Sequence, residues 1–292
     1  MFSGSLVALV TPMKRDGSVD YAAWTRLLEF HIANGTNGIV VGGTTGESAT
    51  LSEAELRELT QKACAQVAGR MAVIAGAGTS STAYTVERVR WLSELPIDGV
   101  LIVTPAYVRP PQEGLYQHFA AVAAASRAPV ILYNVPSRTA VDLLPATVAR
   151  LSLVPNIVAV KEAVAQIDRV RELVSSVKQG FVVLSGDDAT GREAMRAGAK
   201  GVITVTGNIA PRAMSDLAAA ALRGDHDEAA RIDSGLVALH RDLFVEVNPI
   251  AVKWALVRMG LIDGTLRLPL VELAPAHHET VLAAMRTAGV SS

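Results

Sequence analysis

Short apolar runs alternate with longer amphipathic ones along the first two-thirds of the chain. The apolar runs are GSLVALVTP, GIVVGG, MAVIAGAG, GVLIVTP, PVILYNVP, IVAVKE, FVVLSGDD and GVITVTGN. Each is apolar without interruption, the pattern of a parallel strand covered on both faces. Between them, segments such as SEAELRELTQKACAQVAG, TAYTVERVRWLSEL, GLYQHFAAVAAAS and IDRVRELVSSVK carry apolar residues at three- and four-residue spacing, as on one face of a helix. Strand–helix units repeated eight times predict an α/β protein, a (β/α)8 TIM barrel with extra C-terminal helices. A doubly wound open sheet is the alternative. After the eighth run the pattern turns wholly helical, with APRAMSDLAAAALRG, NPIAVKWALVRMG and HHETVLAAMRTAG. The expected division is a barrel over residues 1–225 and a helical extension over 226–292, packed on the barrel. The breaks GLIDGTLRLPL and NP read as turns, without a second domain.

Composition narrows the function. The 292 residues are half hydrophobic and carry a formal net charge of −1, which allows a sizeable core. With no Lys/Arg run, neither nucleic acid nor an anionic membrane is an expected partner. The single cysteine, Cys64, rules out a disulfide within the chain and suits a reducing compartment. The N-terminal MFSGSLVALVTPMKRDG lacks a basic leader and reads as a first strand. No apolar run approaches the roughly 18 residues of a membrane span. A soluble, cytoplasmic protein is expected.

In a barrel, chemistry gathers where strands end and βα loops begin. Those ends read Thr11 and Pro12, GGTTGES (42–48), AGAG, TPAY (104–107), YNVPSRT (133–139), Lys161 and Glu162, SGDD (185–188) and TGN (206–208). Lys200 precedes its strand and is expected on the opposite, solvated rim. Lys161 ends its strand and points into the mouth. Zinc-dependent aldol chemistry needs clustered imidazoles, but His31, His118, His226, His240, His277 and His278 all fall in predicted helices. A Ser-His-Asp triad finds no histidine, and GGTTG lacks the lysine of a P-loop. Glu47, Glu162, Asp187 and Asp188 are candidate magnesium ligands or, more simply, solvated loop charges and helix caps. No metal and no cofactor is expected. A lysine among apolar neighbours favours its free amine, which can form a Schiff base with a ketone. The iminium then serves as an electron sink, with Tyr133, one strand earlier, to move protons. A structural lysine capping its strand beside Glu162 is the alternative. Trp91, Trp254 and Cys64 read as core.

At this point the sequence resembles the dihydrodipicolinate synthase family, within the pyruvate-dependent Schiff-base lyases. The resemblance runs from GSLVALVTPM to LRLPL, through GGTTGESATL, TPAYVRPPQEGLYQHF, YNVPSRT, VKEA, LSGDDA and NPIAVKWAL. The pattern G-x-x-G-E, Gly43 to Glu47, marks the superfamily. The arginine of YNVPSRT and the tyrosine of TPAY are more specific. The resemblance implies condensation of pyruvate with L-aspartate 4-semialdehyde, an early step of diaminopimelate and lysine biosynthesis. It makes Lys161 the Schiff-base lysine and Tyr133 the proton shuttle. Thr44 would link Tyr133 to Tyr107 of a neighbouring subunit, in a homotetramer built as a dimer of dimers. Thr45 would hold the pyruvate carboxylate, Gly186 and Ile203 would line the pocket through their backbones, and Arg138 would grip the semialdehyde carboxylate as a planar fork.

Two features, covering three positions, depart from the family pattern. Val164 and Ala165 follow KEA where Thr and Gly are frequent, and Ala106 stands where a second tyrosine is frequent. These keep open a relative with another aldehyde partner, such as sialic acid or a 2-keto-3-deoxy sugar acid. A barrel that binds without catalysing is the alternative from another class. The resemblance also implies weak sensitivity to L-lysine, because Glu53, Leu56, Ser80, Tyr84 and Ala106 occupy positions that contact it in sensitive members.

Overall fold

The structure is a computed structural model and describes residues 2–291. Eight parallel strands follow the eight predicted runs: β1 (Gly4–Ala8), β2 (Gly38–Val41), β3 (Ala72–Gly76), β4 (Gly99–Val103), β5 (Val130–Asn134), β6 (Ile157–Glu162), β7 (Val182–Ser185) and β8 (Gly201–Thr204). They pair in chain order and close, because β8 also pairs with β1, with Leu6 opposite Ile203. That last pairing removes the open-sheet alternative.

The helices are α1 (Tyr21–Ala33), α2 (Glu53–Val67), α3 (Thr82–Leu92), α4 (Gln112–Ala125), α5 (Pro136–Thr139), α6 (Pro145–Ser152), α7 (Ile167–Ser176), α8 (Gly191–Arg196), α9 (Pro211–Arg223), α10 (His226–Asp242), α11 (Ile250–Arg258) and α12 (His278–Thr287). Local chemistry starts several of them. The Asp20 carboxylate accepts from Ala22 and Ala23 N–H at α1. Ser52 and Glu55 cap each other's backbone at α2.

The unbroken apolar strands have two destinations. Leu6, Val40, Ile74, Leu101, Ile131, Ala159, Leu184 and Ile203 fill the barrel. Their neighbours in sequence, among them Val7, Ile39, Ile102, Leu132, Val160 and Val183, face outward beneath the helices. Burial on both faces is what removes the alternation of a half-exposed strand. The C-terminal helices close a further cluster, in which Leu239, Leu256, Val281 and Met285 pack with Val10 and Leu27.

Some expected core residues sit at its edge. Trp91 and Trp254 are half-buried, with Arg57 4.4 Å over the Trp91 ring and His278 stacked 4.6 Å from Trp254. The fully buried tryptophan is Trp24. Cys64 is likewise half-buried, and that burial pushes its thiol up to about 11, away from the reactive thiolate. Buried His31, His118 and His240 each bond one hydroxyl, of Thr36, Thr82 and Thr206. His277 falls in a 3₁₀ turn, not a helix. Lys200 is exposed immediately before β8.

Candidate active site

Register places the two central residues. Tyr133 on β5 lies opposite Lys161 on β6, and both point into the barrel. The Lys161 ammonium nitrogen sits 4.3 Å from the centre of the Tyr133 ring. Both are buried, Lys161 at 5% exposure. They form the floor of a cavity of about 250 Å³ at the C-terminal mouth, also lined by Thr44, Thr45, Arg138 and Gly186. Space for the lysine is made by Gly186, where a Cβ would lie 3.0 Å from Lys161 Cε.

Two of the eight expected site residues lie outside this cavity. Ile203 is 1% exposed and packs inside the barrel with Leu6 and Leu184, whereas Val205, two residues on, lines the cavity. Tyr107 is 92% exposed and adopts φ +73°, a left-handed backbone conformation unusual for a tyrosine. Its loop is held by a bond from Ser80 Oγ to the Ala106 carbonyl at 2.9 Å.

The GGTTGES loop approaches β3 so closely that a Cβ on Gly76 would meet the Gly42 carbonyl oxygen at 2.2 Å. Thr11 Oγ1 donates to the Gly46 carbonyl at 2.7 Å and holds the far side. Within this loop Thr45 Oγ1 accepts a bond from Asn248 Nδ2 at 2.9 Å. Because a hydroxyl both accepts and donates, that bond leaves the Thr45 proton for a carboxylate. The Asn248 carbonyl accepts from Arg138 Nη2 at 3.2 Å, so one residue braces two of the expected binding groups. Asn248 lines the cavity and was missed in the sequence, where NPIAVKWAL served only as a marker. An asparagine before a proline reads as a turn, and its partners lie 203 and 110 positions away.

The carboxylates correct the expectation of solvated charges. Glu47 is buried and paired with Lys253 beneath the loop. Glu162 is 1% exposed and points outward from β6, where both carboxylate oxygens accept from Asn134 Nδ2 at 3.0 and 3.1 Å. Val164 N–H adds a bond at 2.8 Å. Burial nevertheless dominates and raises the Glu162 carboxyl to about 7. Asp188 is buried and accepts from Val205 and Thr206 N–H at 2.9 and 2.8 Å. Of the four candidate magnesium ligands, only Asp187 lines the cavity. Among the described residues no cluster of three or more His, Cys, Asp or Glu has the arrangement of a metal site.

A buried lysine at the end of a barrel strand, beneath a tyrosine and beside hydroxyls and a guanidinium, defines a Schiff-base lyase of the (β/α)8 class. The model of the dihydrodipicolinate synthetase family matches residues 1–288, and the chain belongs to that family. It is 53% identical over 289 residues to a 4-hydroxy-tetrahydrodipicolinate synthase of Alkalilimnicola ehrlichii, covering 99% of each chain. It is also similar to the chloride-inhibited dihydrodipicolinate synthase of Acinetobacter baumannii, solved with pyruvate. That match has 46% identity and a TM-score of 0.98, and covers 99% of this chain and 100% of that one. A monomeric dihydrodipicolinate synthase variant is 41% identical, with a TM-score of 0.97 and coverage of 99% and 97%.

Proposed function

We propose that the chain is a 4-hydroxy-tetrahydrodipicolinate synthase, condensing pyruvate with L-aspartate 4-semialdehyde in lysine and diaminopimelate biosynthesis. The observation that carries the reading is Lys161 beneath Tyr133 on the cavity floor. The Lys161 amine attacks the ketone carbon of pyruvate, and loss of water gives an iminium. Removal of a methyl proton turns it into an enamine, whose carbon adds to the aldehyde and leaves a hydroxyl. The amine of the semialdehyde then attacks the iminium carbon, closing the ring and expelling Lys161. Overall one water leaves. Tyr133 and Thr44 move the protons, Thr45 takes the pyruvate carboxylate with its free hydroxyl proton, and Arg138 takes the carboxylate of the aldehyde.

Borohydride added with pyruvate tests this. It should fix a pyruvyl mass on Lys161, and Lys161→Ala should abolish the label. Labelling that persists in that variant removes the mechanism. In a panel of aldehydes and sugar acids, L-aspartate 4-semialdehyde should be consumed fastest without added metal or cofactor. Preference for a sugar acid overturns the substrate.

The assembly belongs to the same proposal. Tyr107 lies outside its own cavity and is fully offered to solvent, with Val108 beside it and Tyr84 on α3 also exposed. An apolar surface of this kind suits a second copy in a closed dimer, and two such dimers a tetramer. Mixing Lys161→Ala with Tyr107→Phe chains under conditions of subunit exchange should restore activity. A fully active monomer in sedimentation refutes the sharing. A cytoplasmic location belongs to the same reading, as expected of a biosynthetic enzyme of this family; among the described residues no helix is long and apolar enough to cross a membrane.

A further inference from the structure

Alternation along β6 does not by itself aim Lys161 into the barrel. Ile157 packs outward beneath the helices, and a regular strand would place Ala159 and Lys161 on that same face. The strand instead breaks phase. Val130 of β5 pairs with Ile157, but Ile131 pairs with Ala159, so Val158 is an extra residue in β6. Val158 and Ala159 both pack inside the barrel, after which Val160 faces out and Lys161 faces the cavity. One added residue thus re-aims the amine, as bulges beside active sites do. Absorbing that residue would slip the strand by one step and turn every side chain beyond it to the other face.

The far end of β6 is pinned on the outside of the barrel. Asn134 lies opposite Glu162, one step beyond Tyr133 and Lys161, and both are buried. Asn134 Nδ2 reaches the two Glu162 oxygens at 3.0 and 3.1 Å and Asp142 Oδ1 at 2.7 Å. Its Oδ1 accepts from Leu143 N–H at 2.9 Å, which fixes the way the amide points. Asp142 is held in turn by Arg169 of α7, with Nη2 at 2.6 Å from Oδ2. Glu162 Oε1 also accepts from Val164 N–H at 2.8 Å, in the loop that follows Lys161. None of these residues lines the cavity. We propose that Asn134 and Glu162 are positioning residues, whose bridge holds the register set by the bulge and so keeps Lys161 facing Tyr133 across the cavity floor. The inference rests on the Schiff-base reading above and adds to it what aims the amine.

The test reads the first half-reaction alone. Formation and reversal of the enamine exchange the methyl protons of pyruvate for solvent deuterium, which proton NMR follows in D2O without any aldehyde. Glu162→Leu removes the bridge and keeps an apolar side chain in its place. Its maximal exchange rate should fall roughly tenfold to a hundredfold, the scale for a displaced reacting group. The KM of pyruvate should stay within about threefold of the wild type, because Thr45 and Asn248 are untouched. Glu162→Gln keeps an oxygen for Asn134 Nδ2 and should retain the rate within about threefold. A KM that rises in step with the lost rate would show only a loosened cavity, and would overturn the inference. So would an equal loss in Glu162→Gln, or a Glu162→Leu rate equal to that of the wild type. If Glu162→Leu does not fold, Asp142→Ala, at the partly exposed outer end of the network, is read by the same split. The wild type separates the two readings. No exchange in it defeats the Schiff-base reading, whereas normal exchange in both wild type and variants defeats only the positioning role.

Discussion

Glu47 Oε1 and Lys253 Nζ lie 2.5 Å apart with both side chains wholly excluded from solvent, although 206 positions separate them. Lys253 also donates to the Thr265 carbonyl at 2.6 Å, and Glu47 Oε2 accepts from Arg267 N–H at 3.1 Å. The Arg267 guanidinium continues the chain of bonds to the Gly17 and Thr50 carbonyls and to Glu55. Helix α11 and the segment after it therefore clamp the loop that carries Thr44 and Thr45. Glu47 itself sits at φ +56°, a conformation a non-glycine residue holds only when its surroundings impose it.

Breaking this pair from one side should be costly, because the remaining charge stays buried without its partner. Glu47→Gln or Lys253→Met is expected to lower stability by about 3–5 kcal/mol, measured by urea denaturation. Replacing both residues with apolar side chains should cost less than the two single losses combined. A single substitution that shifts stability by under about 1 kcal/mol would show that the clamp does not depend on the pair.

The barrel was legible because burial on both strand faces writes itself as eight continuous apolar runs. Lys161 stood out by ending one of them with a charge. Glu47, Glu162 and Asn248 were not legible, because polarity alone does not reveal burial. Their partners Lys253, Asn134, Thr45 and Arg138 lie in other elements that only barrel closure brings near. The Ile203 side chain packs with Leu6 and Leu184 inside the barrel, two residues before Val205, so only its backbone is left for the expected role. The exposure of Tyr107 was not legible either, because it follows from a left-handed backbone turn that its sequence neighbours do not announce.

Glu162 gives the stability a pH dependence. Its folded value of about 7 lies above the ordinary 4.5, chiefly through burial, so the native state holds this proton more tightly than the unfolded chain. The stability it contributes is fully present below about pH 4.5 and is lost as pH rises through about 7. Between pH 5 and pH 8 the wild type should lose on the order of 3 kcal/mol relative to Glu162→Gln, whose side chain does not ionise. Urea midpoints of the two proteins across that range decide it. Curves that stay parallel would mean that Glu162 does not titrate in this window.

Asn248 should act on one substrate more than the other. Its side chain reaches Thr45, while its bond to Arg138 runs through the backbone carbonyl and survives substitution. In Asn248→Ala the Thr45 hydroxyl loses its fixed partner and is free to rotate away from the pyruvate carboxylate. The KM of pyruvate should rise roughly tenfold, with the KM of the aldehyde within about threefold of the wild type. Equal rises for both would show that Asn248 merely supports the cavity wall.

Turnover should be indifferent to L-lysine. The positions that would meet it here are already committed or apolar. Glu53 spends its carboxylate on Arg88, with Arg88 Nε at 2.9 Å, so an incoming ammonium would have to displace a guanidinium. Ser80 gives its hydroxyl proton to the Ala106 carbonyl, which removes a donor and an acceptor together. Leu56 is 4% exposed, with its side chain packed over Gly42, and Ala106 has no polar side chain. Tyr84 is exposed and offers only a neutral hydroxyl. Lysine carries two ammonium groups and a carboxylate, and each bond to a charged group contributes roughly 1.5–3 kcal/mol. A millimolar site is only about 4 kcal/mol deep, so the loss of two such bonds leaves little binding. Activity measured at subsaturating pyruvate should therefore stay level as lysine rises to about 1 mM, and half-inhibition below that concentration would show that Arg88 releases Glu53 to the ligand.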